Sequence, residues 1–329
     1  MSKTGNRASD IYQYYSSVER TNVDWLWYPY IPYGKITLIE GDPGEGKSTF
    51  MLNVVSLLTN GKDMPDGFKT PEPITVVYQC AEDSISDTIK PRLVDAGANC
   101  DRVAYIIDDD GSLNLEDSRI EETIRKTKAR LLILDPLQSF IPQDSDMKSA
   151  GKMRAVMSNL SLIASKYNCA VVIIGHMNKS NAGKSLYRSL GSIDIPAIAR
   201  SVLMVCRDEA ESSVRYMIPI KSNLAPEGYP IGFIMDRICG FKWIGKCEDV
   251  VSEELIHSTA VKLDVEDWLK DELQFGPKPS NDVLNHFVML NVYSTRTLYS
   301  LKKKLGVKSI KQDKTWYWSL PEHVENDDV

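Results

Sequence analysis

Nine residues, Gly41-Asp42-Pro43-Gly44-Glu45-Gly46-Lys47-Ser48-Thr49, constrain this chain more than any other stretch. They lie between an apolar run, Ile36-Thr37-Leu38-Ile39, and a helical pattern from Phe50 to Leu58. Strand, glycine-rich loop, helix is the context in which G-x-x-x-x-G-K-[ST] becomes a phosphate loop. Glycines at 41, 44 and 46 open dihedrals that other residues avoid, so successive N–H groups can turn inward. The start of the helix adds partial positive charge there. The nine residues are expected to cradle ATP, with Lys47 on the β- and γ-phosphates and Ser48 on Mg²⁺. An ordinary glycine turn before a helix is the competing reading, and the flanking strand and helix weigh against it.

The chain has 329 residues, 43% of them hydrophobic, enough to bury a sizeable core. Its net charge of −6 excludes a polycation, so contact with nucleic acid must be local. The six cysteines form no C-x-x-C pair, and Cys80, Cys169 and Cys206 sit in apolar runs as small core residues of a reducing compartment. There is no signal peptide and no apolar run of membrane-spanning length, so a cytoplasmic protein without a membrane partner is expected.

Residues 1–22 are polar and expected to be flexible, and an aromatic lead-in, Trp25 to Gly34, follows. That lead-in either packs beside the first strand or offers a stacking or subunit surface. Continuous apolar runs at 74–80, 103–107, 131–135 and 170–176 read as buried strands, with helices near 84–97, 116–129 and 148–167 between them. This alternation predicts an α/β fold with a mostly parallel sheet. From 200 to 244, four short strands without long helices read as a β-rich extension of that sheet. The expected division is an ATPase domain over 23–245, a linker over 246–262, a winged-helix-like domain over 263–322 and an acidic tail over 323–329. In the third of these, two serine-capped helical patterns precede a strand pair, the order of a winged helix.

Hydrolysis needs an acid for Mg²⁺, a group to orient water and a positive charge for the transition state. Asp135 ends an apolar strand and suits the metal role. Glu82 also stands at a strand's carboxyl end, where it either polarises water or favours a helix dipole. His176 ends the fifth strand, either as a structural histidine or as a group that feels the γ-phosphate and reports it to the loop 178–192.

At these residues the chain resembles RecA-like P-loop ATPases of the RepA/DnaB hexameric helicase group, over about residues 23–245. The resemblance rests on Gly41–Thr49, Glu82, Leu132–Asp135-Pro136, Gly175-His176-Met177-Asn178-Lys179 and Leu190-Gly191-Ser192 with Ala199-Arg200-Ser201-Val202. It implies a RecA-like core, Glu82 as catalytic base or water-orienting acid, and His176 as γ-phosphate sensor. It also implies nucleotide sites shared between subunits, with Arg200 or Lys221 entering from a neighbour. DnaB-like members carry K-x-R where this chain has Lys221-Ser222-Asn223, which makes Arg200 the first choice. The loop with Lys179, Lys184 and Arg188 corresponds to the DNA-facing loop of such rings, suited to single-stranded DNA in a central channel, and an ordinary mobile surface loop is the competing reading. Between 280 and 320, seven cations, among them Arg296, Lys302 and Lys303, face two acids, which suits duplex DNA at the winged helix, with a solvated basic face or a protein contact as the alternatives.

The expected protein is therefore an ATP-hydrolysing motor on DNA, a homo-hexameric replicative helicase of a mobile element. The alternative is an ATP-switched, non-translocating DNA-binding or regulatory ATPase. Only about 35 residues precede the first strand, so a primase or loader is expected to be separate.

Overall fold

The computed structural model describes residues 11–70, 72–109, 111–141, 150–175, 198–208, 210–236, 239–250, 268–270, 272–274, 276–289, 295–312 and 315–321. The aromatic lead-in forms a small antiparallel ribbon of β1 (Trp25–Trp27) and β2 (Ile31–Pro32). Its first role is packing. Trp27 and Tyr30 are buried, the Trp27 ring stacks on Phe50, and its Nε1 donates to Asp66 Oδ1 at 3.0 Å, while Tyr28 stays exposed.

The apolar runs become strands β3 (Ile36–Glu40), β4 (Val76–Cys80), β5 (Val103–Ala104), β6 (Leu131–Asp135) and β7 (Ala170–Ile174). The extension supplies β8 (Ser201–Arg207), β9 (Val214–Ser222), β10 (Ile231–Asp236) and β11 (Gly240–Lys246). All nine join one sheet in the order β11-β10-β9-β8-β3-β7-β6-β4-β5. Pairing is parallel from β8 to β5 and antiparallel from β8 to β11.

Helix α1 (Lys47–Thr59) and the short α2 (Lys90–Asp95) pack on one face, and α3 (Ser118–Thr127) and α4 (Ala150–Tyr167) on the other. Side chains of a strand alternate between faces, so Leu131 and Ile133 meet the first layer and Leu132 and Leu134 the second. Burial on both sides is why these strands read as unbroken apolar runs.

Two elements differ from the sequence expectation. The strand expected over 103–107 stops at Ala104, because the Gln79 side chain takes the Ile106 N–H at 2.8 Å and removes it from the ladder. The helix expected from Ser84 opens instead as a wide π-type turn, Ile85–Ile89, before α2. Pro91 has no N–H for the preceding turn, which loosens the normal helical register there.

Near the C-terminus, β12 (Lys278–Pro279), α5 (Ser280–Met289), α6 (Thr295–Lys304), β13 (Lys308–Gln312) and β14 (Thr315–Ser319) follow in order. Their three strands pair as β12-β14-β13. They have an apolar cluster of their own, which includes Leu273, Val283, Phe287, Leu298 and Trp318. Among the described residues, no helix is long and apolar enough to cross a membrane.

Candidate functional site

The phosphate-loop sequence lies at the carboxyl end of β3, in the middle of the sheet. Gly41, Gly44 and Gly46 all have positive φ, at 147°, 82° and 92°. The loop is also wedged in place. A Cβ on Gly41 would come 2.3 Å from the Val205 carbonyl oxygen, and one on Gly46 would come 2.3 Å from Met235 Sδ. The sequence predicts glycine there for its dihedrals, and the structure adds close approach by β8 and β10. The β-rich extension thus has a local purpose. Phe233 and Trp243 of β10–β11 pack on Phe50 of α1, with Phe241 behind them, seating the helix whose N-terminus faces the loop.

Lys47 begins α1, is buried, and folds back to donate to the carbonyls of Gly41 at 2.7 Å and Asp42 at 2.9 Å. Burial pulls its pKa down, and Asp135, Asp42, Glu45 and Glu82 pull it back up. These acids therefore surround the ammonium without neutralising the cost of its burial. A bound phosphate would supply the missing counter-charge.

Asp135 ends β6 with its carboxylate buried. Tyr78 donates its hydroxyl to Asp135 Oδ2 at 2.6 Å. Burial and the adjacent carboxylate hold the Tyr78 phenol far above its usual pKa, so it stays a donor. One carboxylate oxygen is thereby fixed and the other left to act. Tyr78 is absent from the sequence reading. Its signal is a hydroxyl inside a fully buried strand, which must find a partner.

Asp135 and Cys80 are register partners, and the Ala81 N–H donates to the Asp135 carbonyl at 3.1 Å. Glu82 follows directly and is exposed on the same rim. A cavity of about 280 Å³ beside the loop is lined by Gly44, Gly46, Lys47, Ser48, Thr49, Met235 and Arg92. Arg92 forms an ion pair with Asp83 at 2.8 Å, next to Glu82. A glycine cradle, a buried lysine short of counter-charge and a half-occupied buried carboxylate fit a nucleotide with Mg²⁺.

The Gly175 N–H donates to the Ile39 carbonyl at 2.8 Å, so the end of β7 reaches this rim beside the phosphate loop. His176, Lys179, Lys184 and Arg188 lie outside the described residues.

Arg200 and Lys221 are brought together, but not at this rim. Val202 pairs with Lys221, the Arg200 N–H donates to the Ile36 carbonyl at 3.0 Å, and Lys221 Nζ donates to the Ala199 carbonyl at 2.9 Å. Burial and the neighbouring Arg200 lower the Lys221 pKa. Both therefore stand at the amino end of β8, about 16 Å along the strand from the loop at roughly 3.3 Å per residue. They are out of reach of their own chain's phosphate site. Two other arginines, Arg207 and Arg215, take the place beside the loop. No motif marks either of them, although a charge inside the apolar run Val214–Ile218 is the signal for the second.

In the C-terminal segment, Arg296 falls in the first turn of α6. Lys303 is exposed, whereas Lys302 is half-buried, with Nζ 2.5 Å from Ser309 Oγ and 4.6 Å from the Trp318 ring centre. Lys302 thus serves its own hairpin.

A central phosphate loop with a buried acid two strands away, in a sheet extended by antiparallel strands, defines a RecA-like P-loop ATPase. The chain belongs to the AAA domain family, whose model matches residues 9–182, just over half of its length. It is 32% identical over 155 residues to the DNA repair protein RadA of Listeria monocytogenes, which covers 45% of this chain and 29% of that protein. It is 28% identical over 151 residues to the RadA of Aquifex aeolicus, covering 45% of this chain and 30% of that one. The chain thus spans under a third of the length of these curated relatives. Among solved structures, it is similar to the KaiC-like protein PH0186 of Pyrococcus horikoshii, with a TM-score of 0.48 and 17% identity over 69% of this chain and 99% of that one. It is also similar to a second solved structure, of an isolated ATPase domain, with a TM-score of 0.49 and 14% identity over 64% of this chain and 84% of that one.

Proposed function

We propose that the chain is an ATP-hydrolysing DNA motor, a ring-forming replicative helicase of the RepA type from a mobile element. Residues Gly41–Thr49 bind the triphosphate, and Lys47 exchanges its backbone carbonyls for phosphate oxygens. Ser48 and Asp135 hold Mg²⁺, which supplies charge neutralisation at the phosphates when bound. Glu82 orients the attacking water, and His176 senses the γ-phosphate and passes its loss to the loop with Lys179, Lys184 and Arg188. The observation that carries this reading is the position of Arg200 and Lys221 on the rim opposite their own phosphate loop. Apart from Lys47, Arg92 is the cation at this cavity among the described residues, and its ion pair with Asp83 leaves the transition-state charge to a neighbour's Arg200, as in a hexameric ring. The match to bacterial DNA repair proteins supports DNA as what the motor works on. The C-terminal helices and strand pair are read as a winged helix for duplex DNA, and a primase or loader as separate partners.

Mixed-subunit assays test the ring. Arg200→Ala should keep ATP binding and lose about 10³-fold in kcat, the scale of an arginine finger. Glu82→Gln should also stall turnover. Mixing the two variants should restore part of the activity, and a mixture as inactive as its components would sink the trans assignment. Strand displacement decides what the ring does. If single-stranded DNA leaves hydrolysis unchanged and no duplex is opened, the ATP-switched DNA-binding reading replaces the helicase.

A further inference from the structure

The phosphate loop is held from behind by charges that do not line its cavity. In the β8–β9 ladder Arg207 lies directly opposite Arg215. Like charges so placed repel. Arg215 is 7% exposed, and burial and Arg207 both depress its pKa while Glu45 raises it. Glu45 belongs to the phosphate loop, and its Oε2 stands 3.5 Å from Arg207 Nε. Arg207 Nη2 also reaches the Gly44 carbonyl at 3.5 Å, and Arg215 Cδ lies 3.5 Å from the place of a Cβ on Gly46. Three consecutive loop residues therefore rest on two arginines.

The cluster is incomplete. Arg215 Nη1 donates to the carbonyls of Ser213 at 3.1 Å and Met235 at 3.3 Å, but its buried Nε has no hydrogen bond. Glu45 Oε2, likewise buried, has its ion pair with Arg207 but no hydrogen bond. A buried donor and a buried acceptor both without hydrogen bonds in one cluster are uncommon and costly. Glu45 is the carboxylate whose charge Arg215 feels, which makes it the acceptor at hand for that Nε.

We propose that Glu45, Arg207 and Arg215 are positioning residues that latch the phosphate loop to the β8–β9 hairpin, the unpaired donor and acceptor joining when the loop takes up a polyphosphate. This rests on the reading of the loop as a nucleotide site. It adds that nucleotide occupancy is felt by β8 and β9, the strands whose far ends carry Arg200 and Lys221.

The test uses the full chain with Mg²⁺–ADP for equilibrium affinity and Mg²⁺–ATP for turnover. Glu45→Gln and Arg207→Gln should each weaken ADP binding and raise KM for ATP about tenfold, while kcat moves much less. The charge swap Glu45→Arg with Arg207→Glu keeps one carboxylate between two cations and should recover most of that loss. Thermal melting separates folding from affinity. Single variants with wild-type affinity would overturn the proposal. So would a swap that restores the melting temperature but not ADP binding, which would leave the pair a structural contact only. A wild-type chain that binds neither nucleotide would instead overturn the nucleotide reading itself.

Discussion

Lys47 carries its charge into a buried place and gives its hydrogens to two backbone carbonyls. Its depressed pKa makes nucleotide binding pH-dependent with a definite sign. Phosphates restore the pKa, so binding takes up a proton wherever the pH lies between the depressed and restored values. Affinity should be level at lower pH and fall as the pH rises through the depressed value, which lies below the ordinary 10.5. Calorimetry in two buffers of unlike ionisation heat would register the proton uptake. Lys47→Ala should abolish the uptake and weaken binding by about 10²-fold. The glycines divide by what surrounds them. Gly44→Ala meets nothing within 4 Å and should cost only the positive-φ penalty, about 1 kcal/mol. Gly41→Ala drives a methyl into a backbone carbonyl and should cost more than about 2 kcal/mol in a thermal-unfolding comparison.

Strands β3, β4, β6 and β7 were legible in the sequence because burial on both faces leaves a continuous apolar run. The rim acids were legible because a polar residue closes each run. What stayed hidden depends on register. Nothing local says that Gln79 will take the Ile106 N–H and shorten β5, or that Arg207 will face Arg215. A slip of one residue in the β8–β9 pairing would turn each arginine to the other face. The partner of Asp135 was hidden for the same reason, since Tyr78 reaches it across two strands 57 residues apart in sequence. Tyr78→Phe keeps the volume and should cost about 1 kcal/mol of stability. It should also raise the Mg²⁺ concentration needed for half-maximal hydrolysis about tenfold, as loss of an outer-shell partner does. An unchanged Mg²⁺ profile would separate Tyr78 from the metal role.

For the whole molecule, Cys169 and Tyr30 set an alkaline limit. Burial lifts the Cys169 thiol from 9.0 to about 12 and raises the Tyr30 phenol in the same direction. Each is an acid whose folded pKa lies above its unfolded one. The stabilisation is complete below the unfolded value of each group and is lost as the pH climbs from about 9 for Cys169 and from about 10 for Tyr30, at about 1.4 kcal/mol per unit. Urea unfolding between pH 8 and 11 should show the decline, and Cys169→Ala should flatten it. In the C-terminal unit the two adjacent lysines should behave differently. On the winged-helix proposal, Lys303→Ala should weaken DNA binding and reduce its salt dependence. Lys302→Ala should chiefly lower the stability of the β13–β14 hairpin, whose Ser309 and Trp318 it touches.

The nine-stranded sheet has two ends, and both are closed to newcomers. At one, β5 is two residues long and offers almost no ladder to extend. At the other, β11 presents Lys242 and Lys246 to solvent, and its pairing with β10 is interrupted by a bulge at Gly232/Phe233. Short strands, lysines and bulges are how proteins keep sheets from fusing side by side. Among the described residues both edges therefore oppose pairing with a second copy, which favours assembly through helices, loops and strand ends. Replacing Lys242 and Lys246 with threonine should expose a sticky border, visible as light scattering on mild heating.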